Sequence, residues 1–172
     1  MAGAIEEAPV VVRLRPPRHR VSPRAIWYWT VRALWPWLAV AAVQVLWVLQ
    51  GDDGQLRWHA VVLVATVVAA AIHLTVMPRW RFHVHRWEAT PHAVYTQAGW
   101  FDQERRIAPV SRIQTVDTHR GPLEQLFRLS AVTVTTASAA GPLKISGLDR
   151  DDAQRLVDEL AATAEAMRGD AT

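Results

Sequence analysis

Residues 33–49 read ALWPWLAVAAVQVLWVL, residues 58–77 read WHAVVLVATVVAAAIHLTVM, and only a short polar segment separates them. Neither run contains Asp, Glu, Lys or Arg. Both runs are apolar on all sides rather than along one stripe, which disfavours buried helices of a soluble protein. Because a helix rises about 1.5 Å per residue, runs of this length cross a hydrocarbon core of about 30 Å. The sequence therefore predicts a membrane protein with a two-helix hairpin, whose spans cover about residues 31–49 and 57–77.

Tryptophan is concentrated at the ends of these two runs. Seven of the nine Trp residues of the chain lie there. An indole ring favours the headgroup layer, which accommodates both its apolar body and its N–H. We expect six of these side chains to anchor the hairpin at the membrane interface: Trp27, Trp29, Trp35, Trp37, Trp58 and Trp80.

Gln44 and His73 are the polar exceptions that we single out inside the predicted spans. One interpretation is that they line a pore or a relay, since polar groups within a membrane are often functional. The other, which we favour, is a hydrogen bond across the hairpin or to a partner helix.

The charges flanking the hairpin predict its orientation. Six Arg residues precede the first run and three follow the second at Arg79, Arg81 and Arg86, whereas the turn at 51–55 contains two Asp residues. The positive-inside rule then places both termini in the cytoplasm and the turn outside. Residues 79–172 contain twelve basic and twelve acidic residues. This segment is therefore neutral, and the excess of positive charge lies in the N-terminal segment, beside the membrane. We expect a cell-membrane protein that contacts lipid and no nucleic acid.

The remaining sequence divides into a tail and a soluble domain. Residues 1–24 are rich in Pro and predict a flexible cytoplasmic tail, residues 25–78 form the hairpin, and residues 79–170 form a cytoplasmic domain. The chain contains no Cys, which excludes disulfides, thiolate catalysis and Cys-ligated metals.

The domain has the pattern of short strands followed by one helix. Alternation, turn residues and β-branched content predict the following elements: a strand at 82–89, a hairpin of 93–97 and 100–107 about the turn Ala98-Gly99, a strand from Ile113 to Arg120, a helical turn at 123–128, and strands at 131–136 and 143–146.

The C-terminal helix has the clearest signature. Asp149 is a good N-cap, and Asp152 is placed to complete a capping box. Gly169 is expected to end the helix. One face is apolar and is expected to close an end of the sheet or barrel through Ala153, Leu156, Val157, Leu160, Ala164 and Met167.

Three segments in this order resemble the bacterial pleckstrin-homology-like (YdbS-like) membrane proteins over about residues 30–170. They are Pro109–Val116 (PVSRIQTV), Gly121–Ala137 (GPLEQLFRLSAVTVTTA) and Ile145–Leu148 (ISGL). One departure is Arg128-Leu129-Ser130, where that family often has a Gly after the aromatic residue. The resemblance implies a membrane α-helical hairpin plus an α+β domain, an antiparallel β-sandwich or partly open barrel capped by the C-terminal helix. It implies no known reaction.

Candidate sites in the domain are few. His83 and His85 would share one face of the predicted strand, but two His ligands without a partnering carboxylate do not predict a metal site. The motifs of zinc proteases, serine hydrolases and nucleotide-binding loops are absent from the sequence. We therefore expect no catalytic residue, metal or cofactor. The residues we single out for interaction are Arg105, Arg106, Arg120 and Phe127.

The sequence thus predicts a non-enzymatic membrane protein that displays its domain for protein interaction or self-assembly, with another membrane protein or a second copy as partner. Two alternatives stay open. One is an accessory subunit of a transport or export complex, with Gln44 and His73 along a path between subunits. The other is a sensor of anionic lipid that uses Arg79, Arg81 and Arg86.

Overall fold

Two long helices open the fold of the computed structural model, which describes residues 16–50, 56–138 and 141–169. Helix α1 is Arg24–Gln50 and helix α2 is Leu56–Val84. The two pack against each other, and nearly all side chains of their apolar stretches point outward. The predicted hairpin is confirmed, although α1 begins before residue 31 and α2 continues past residue 77. The turn at 51–55 lies outside the described residues.

The two polar side chains of the spans join the helices. Gln44 Nε2 donates a hydrogen bond to Thr66 Oγ1 at 2.6 Å, and Trp37 Nε1 donates to His73 Nδ1 at 2.9 Å. The interpretation of Gln44 and His73 as hydrogen-bonding residues across the hairpin is therefore confirmed.

The soluble domain consists of two antiparallel sheets and a C-terminal helix. The first sheet has the order β1-β2-β3-β4 and the second the order β5-β6-β7. A 3-10 turn at Val110–Arg112 joins β4 to β5. The elements are β1 His19–Arg20, β2 Arg86–Ala89, β3 Ala93–Gly99, β4 Gln103–Pro109, β5 Ile113–His119, α3 Pro122–Leu126, β6 Leu129–Thr136, β7 Leu143–Asp149 and α4 Arg150–Gly169.

The core lies between the sheets and under α4. Val132 and Val134 of β6 have no exposed surface, and Leu156 and Leu160 of α4 are 2% and 1% exposed. The predicted apolar face of α4 is confirmed for every member whose side chain is described, since Val157 packs against the same core. The Met167 side chain lies outside the described residues.

The start of α4 is capped as predicted, with one correction. Asp149 Oδ1 accepts a hydrogen bond from the Asp151 backbone N–H at 3.4 Å, which is the N-cap interaction. Asp152 does not complete a capping box, because its carboxylate pairs with Arg155 one turn further along the helix.

The prediction of a strand over 82–89 is wrong in its first half. Helix α2 continues through Val84, and the His85 backbone N–H still bonds to the Arg81 carbonyl at 2.8 Å. The strand begins only at Arg86. Residues 82–85 alternate, but a run this short fits a helix equally well, and here the Phe82 side chain packs against the start of α1.

The prediction of a flexible tail over 1–24 is wrong for its last residues. His19 pairs with Trp87 and Arg20 with Arg86, so β1 extends the first sheet by one short strand. Val21, which follows β1, is 4% exposed. The rest of the predicted tail, residues 1–15, lies outside the described residues.

Candidate functional site

The first turns of α1 are part of the soluble domain. Ala25 has no exposed surface and Trp29 is 2% exposed, because both pack with Leu129 at the start of β6. Gly147 in β7 makes this approach possible: a Cβ there would lie 3.0 Å from the Ala25 Cβ and 3.4 Å from Trp29 Cζ2. Arg24 Nη1 also pairs with Asp149 Oδ2 at 2.9 Å. We call this contact between α1 and β7 the junction; it fastens the hairpin to the domain.

The junction corrects one predicted membrane anchor. Trp29 is buried inside the protein and has no surface for the headgroup layer. The side chains of Trp27, Trp35, Trp58 and Trp80 are all more than half exposed, and Trp37 is half-buried against His73. These five stay predicted anchors.

A buried His and a half-buried Arg line the junction. The Arg81 guanidinium lies 4.7 Å from the centre of the Trp29 ring, and the His85 ring lies 5.0 Å from that ring. His85 is 6% exposed. Burial, and after it the charge of Arg81, lowers the pKa of His85 to about 4. His85 is therefore neutral at physiological pH.

His83 and His85 do not face one way from a strand, as the sequence had predicted. His83 Nδ1 bonds to the Arg79 carbonyl and His85 Nδ1 to the Arg81 carbonyl, so each ring folds back on the end of α2. Among the residues that the structure describes, no group of three or more His, Asp or Glu side chains is arranged so that it could bind a metal ion.

The four predicted interaction residues do not form one surface. Arg120 Nε donates to the Leu129 carbonyl at 3.2 Å, and Phe127 is half-buried against the junction. These two side chains brace α3 against β6. Arg105 and Arg106 lie on β4, the edge strand of the first sheet.

A cleft opens between β4 and the loop that joins β6 to β7. Its volume is about 480 Å³, and its lining includes Arg105, Arg106, Ile107, Arg112, Thr136 and Leu143. We call it the arginine cleft. Arg106 bridges its two walls, because it pairs with Glu104 on its own strand at 2.6 Å and donates to the Pro142 carbonyl at 2.7 Å.

The other two arginines of the cleft are not neutralised by a neighbouring carboxylate among the described residues. Arg105 and Arg112 are exposed, and neither forms an ion pair with any part of the chain that the structure describes. Ile107, which also lines the cleft, is 44% exposed. The residues that line the cleft thus include two arginines without an ion pair and an exposed Ile, beside the open edge of a strand.

Strand directions place the arginine cleft away from the hairpin. Strand β2 leaves the end of α2, so β3 returns toward α2 and β4 runs outward again from Gln103 to Pro109, about 20 Å. In the second sheet, β7 ends at Asp149, which pairs with Arg24 at the start of α1. Its first residue, Leu143, therefore lies at the end of the sheet that is remote from the hairpin, which we call the outer end. The cleft opens at this outer end.

Sequence reasoning found only part of the cleft. It singled out Arg105 and Arg106 as a pair of cations but missed Arg112, Thr136 and Leu143. These residues come from three separate segments: the turn after β4, the end of β6 and the start of β7. No local pattern in the sequence marks residues that meet only when two sheets pack.

Comparisons with known proteins agree with this architecture. The model of a family described as Bacterial PH domain matches residues 25–164. The chain is 27% identical over 160 residues to the UPF0699 transmembrane protein YdbS of Bacillus subtilis (strain 168), and this alignment covers 90% of the chain and 97% of that protein. No solved structure matches the chain.

Proposed function

Because the chain belongs to the bacterial PH domain family and is a membrane protein with two transmembrane helices, we propose that it is a non-enzymatic adaptor. Its PH-like domain binds an acidic, extended segment of another protein at the membrane. The arginine cleft is the binding site, and Arg105 and Arg112 are the residues that recognise the partner.

The observation that carries this proposal is an open strand edge beside unpaired cations. Strand β4 pairs with β3 on one side, and its other edge faces the cleft. An extended segment can add to such an edge through backbone hydrogen bonds. Arg105 and Arg112 would then bind carboxylates of that segment, since guanidinium groups form strong paired hydrogen bonds with carboxylates.

The position of the cleft favours a protein partner over lipid headgroups. Ile107, Arg112 and Leu143 of its lining lie toward the outer end of the sheets, while the hairpin enters at the other end. Two of the three arginines of the lipid-sensor alternative make contacts within the chain: Arg81 lies over the Trp29 ring, and Arg79 donates to the Thr75 carbonyl at 2.8 Å. These contacts weigh against the anionic-lipid sensor.

The hydrogen bonds of the spans weigh against the accessory-subunit alternative. His73 Nδ1 and Gln44 Nε2 each form a hydrogen bond inside the hairpin, and only Gln44 Oε1 of this pair of side chains is a buried atom without a partner among the described residues. A second copy of the chain is also a candidate partner for the cleft, and the experiment below distinguishes it by mass.

The test is crosslinking of the tagged, full-length protein in native membranes, followed by identification of the proteins that co-purify. The cleft variant is Arg105→Glu with Arg112→Glu. The matched control is Arg150→Glu with Arg155→Glu, which changes the net charge equally at exposed positions on α4.

We expect the cleft variant to lose its partner by about tenfold or more and the control to retain it, because each charge-assisted hydrogen bond contributes about 1.5–3 kcal/mol. Equal recovery with both variants would contradict the proposal. A partner held equally by both would bind elsewhere, and the hairpin would then be the next candidate surface.

The proposed orientation, with both termini and the domain in the cytoplasm, has a separate test. The chain contains no Cys, so Ser111→Cys introduces a single thiol at an exposed position of the domain. In intact cells, we expect a membrane-impermeant maleimide to leave this thiol unlabelled until the cells are opened. Labelling from outside would reverse the orientation.

A further inference from the structure

The loop between β3 and β4, Trp100–Asp102, lies against the membrane hairpin. Trp80 Nε1 donates to the Trp100 carbonyl at 3.0 Å. The Trp100 ring lies 5.8 Å from the His73 ring, which in turn accepts a hydrogen bond from Trp37. His73 precedes Trp80 by about 10 Å along α2. The Trp100 ring therefore reaches back along the helix to the end of its apolar run.

The next residue presents an apolar side chain to the surroundings of the helix. Phe101 is 94% exposed, and its ring meets the edge of the Trp100 ring at 5.7 Å. Ile72 and Val76, which flank His73 on the surface of α2, are also more than half exposed. Side chains exposed on this part of a transmembrane helix face lipid, so Phe101 projects where the bilayer begins.

The sequence fixes the shape of this loop. Gly99 has a φ of +129°, and a Cβ there would lie 1.8 Å from the Asp102 carbonyl oxygen. Only glycine fits this backbone, which turns the chain so that Trp100 and Phe101 form the tip. This also corrects the predicted two-residue turn at Ala98-Gly99, because the loop is three residues long and Gly99 pairs with Gln103.

We propose that the Trp100-Phe101 tip inserts into the boundary between headgroups and acyl chains beside α2. It would be a third membrane contact of the chain, in addition to the two spans. Trp favours this layer, and burial of the Phe ring removes a large apolar surface from water. The exposed, charged Asp102 that follows the tip limits insertion to a shallow depth.

The insertion would hold the first sheet close to the bilayer. Strand β4 begins directly after the tip, so its Gln103 end lies at the membrane, and the arginine cleft extends along the strand from Arg105 to Pro109. The inference rests on the loop and α2 alone and stands independently of the partner proposed for the cleft.

The test uses the purified full-length protein in vesicles of phosphatidylethanolamine and phosphatidylglycerol. The vesicles contain a phosphatidylcholine with a photoreactive diazirine on the first carbons of one acyl chain. After illumination, trypsin releases peptide 87–105, which contains the tip, and peptide 113–120, which contains β5 at exposed positions of the second sheet.

We expect lipid adducts on Trp100 and Phe101, and few adducts on peptide 113–120 of the same molecules. Phe101→Asp should lower the yield on peptide 87–105 by about tenfold, because a carboxylate opposes insertion. Thr115→Asp is the matched control at an exposed position of β5, and we expect it to leave that yield unchanged.

Adducts on peptide 87–105 that are no more frequent than those on peptide 113–120 would overturn the inference. So would a yield that Phe101→Asp leaves unchanged. In either case the tip would lie in water, outside the bilayer.

Discussion

Replacing Gly147 with Ala should separate the domain from the start of α1. Gly147 has a φ of +82°, which costs an L-residue about 1 kcal/mol. The new methyl group would also lie 3.0 Å from the Ala25 Cβ, and neither atom can rotate away. Overpacking of this kind costs about 1–3 kcal/mol. We therefore expect Gly147→Ala to destabilise the domain by about 2–4 kcal/mol.

Gly141 provides a matched control. Its φ of +78° imposes the same backbone strain, but a Cβ there would have no neighbour within 4 Å. We expect Gly141→Ala to cost about 1 kcal/mol. The difference between the two variants measures the contact with α1.

The assay is thermal unfolding of the full-length protein in detergent micelles, followed by intrinsic tryptophan fluorescence. At about 4–8 °C per kcal/mol for a domain of this size, we expect Gly147→Ala to lower Tm by about 8–30 °C and Gly141→Ala by about 4–8 °C. Adding Ala25→Gly to Gly147→Ala should recover part of the loss, because it removes the opposing methyl group. Equal shifts for the two Gly variants, or no recovery, would refute the packing of α1 against β7.

Three further predictions use the same assay. Leu160→Asp should abolish the cooperative transition, because it places a carboxylate in the core at a position 1% exposed; a retained transition would make α4 peripheral. The lowered pKa of His85, about 4 against an ordinary 6.5, means that the folded state binds fewer protons than the unfolded state in this range. Stability should therefore fall by about 3 kcal/mol as the pH drops from about 6.5 to about 4, and His85→Gln should flatten that dependence; an unchanged slope would exclude His85 as its source. Arg128 has a φ of 54°, so Arg128→Gly should raise stability by up to about 1 kcal/mol, and a lower Tm would show that its side chain stabilises the fold.

The membrane hairpin and α4 could be predicted because their signals are local. Seventeen or more uncharged apolar residues have few alternatives to a span, and Asp149 marks the start of α4 by its own hydrogen bond. The family resemblance also located a departure at Arg128-Leu129-Ser130, and Arg128 is the one non-glycine residue with positive φ among the described segments. A residue at that position must adopt a backbone that glycine adopts without strain.

The junction and the cleft could not be predicted, because their residues meet only through tertiary packing. Trp29 has the sequence context of an interfacial anchor, yet Gly147, more than a hundred positions later, leaves the space in which it is buried. The strand predicted at 82–85 fails for a related reason. The alternation of these residues is compatible with both a strand and a helix. In the structure they are helical, and Phe82 packs against the residues of the junction.

The most direct test of the account is site-specific photocrosslinking from inside the arginine cleft in living cells. A photoreactive amino acid replaces Ile107 in the cleft or, as the control, the exposed Asp158 on α4. We predict a discrete protein adduct from position 107 that disappears with Arg105→Glu and Arg112→Glu, and no such adduct from position 158. An adduct that survives both charge reversals, or the same adduct from both positions, would contradict the claim that the cleft binds a protein partner.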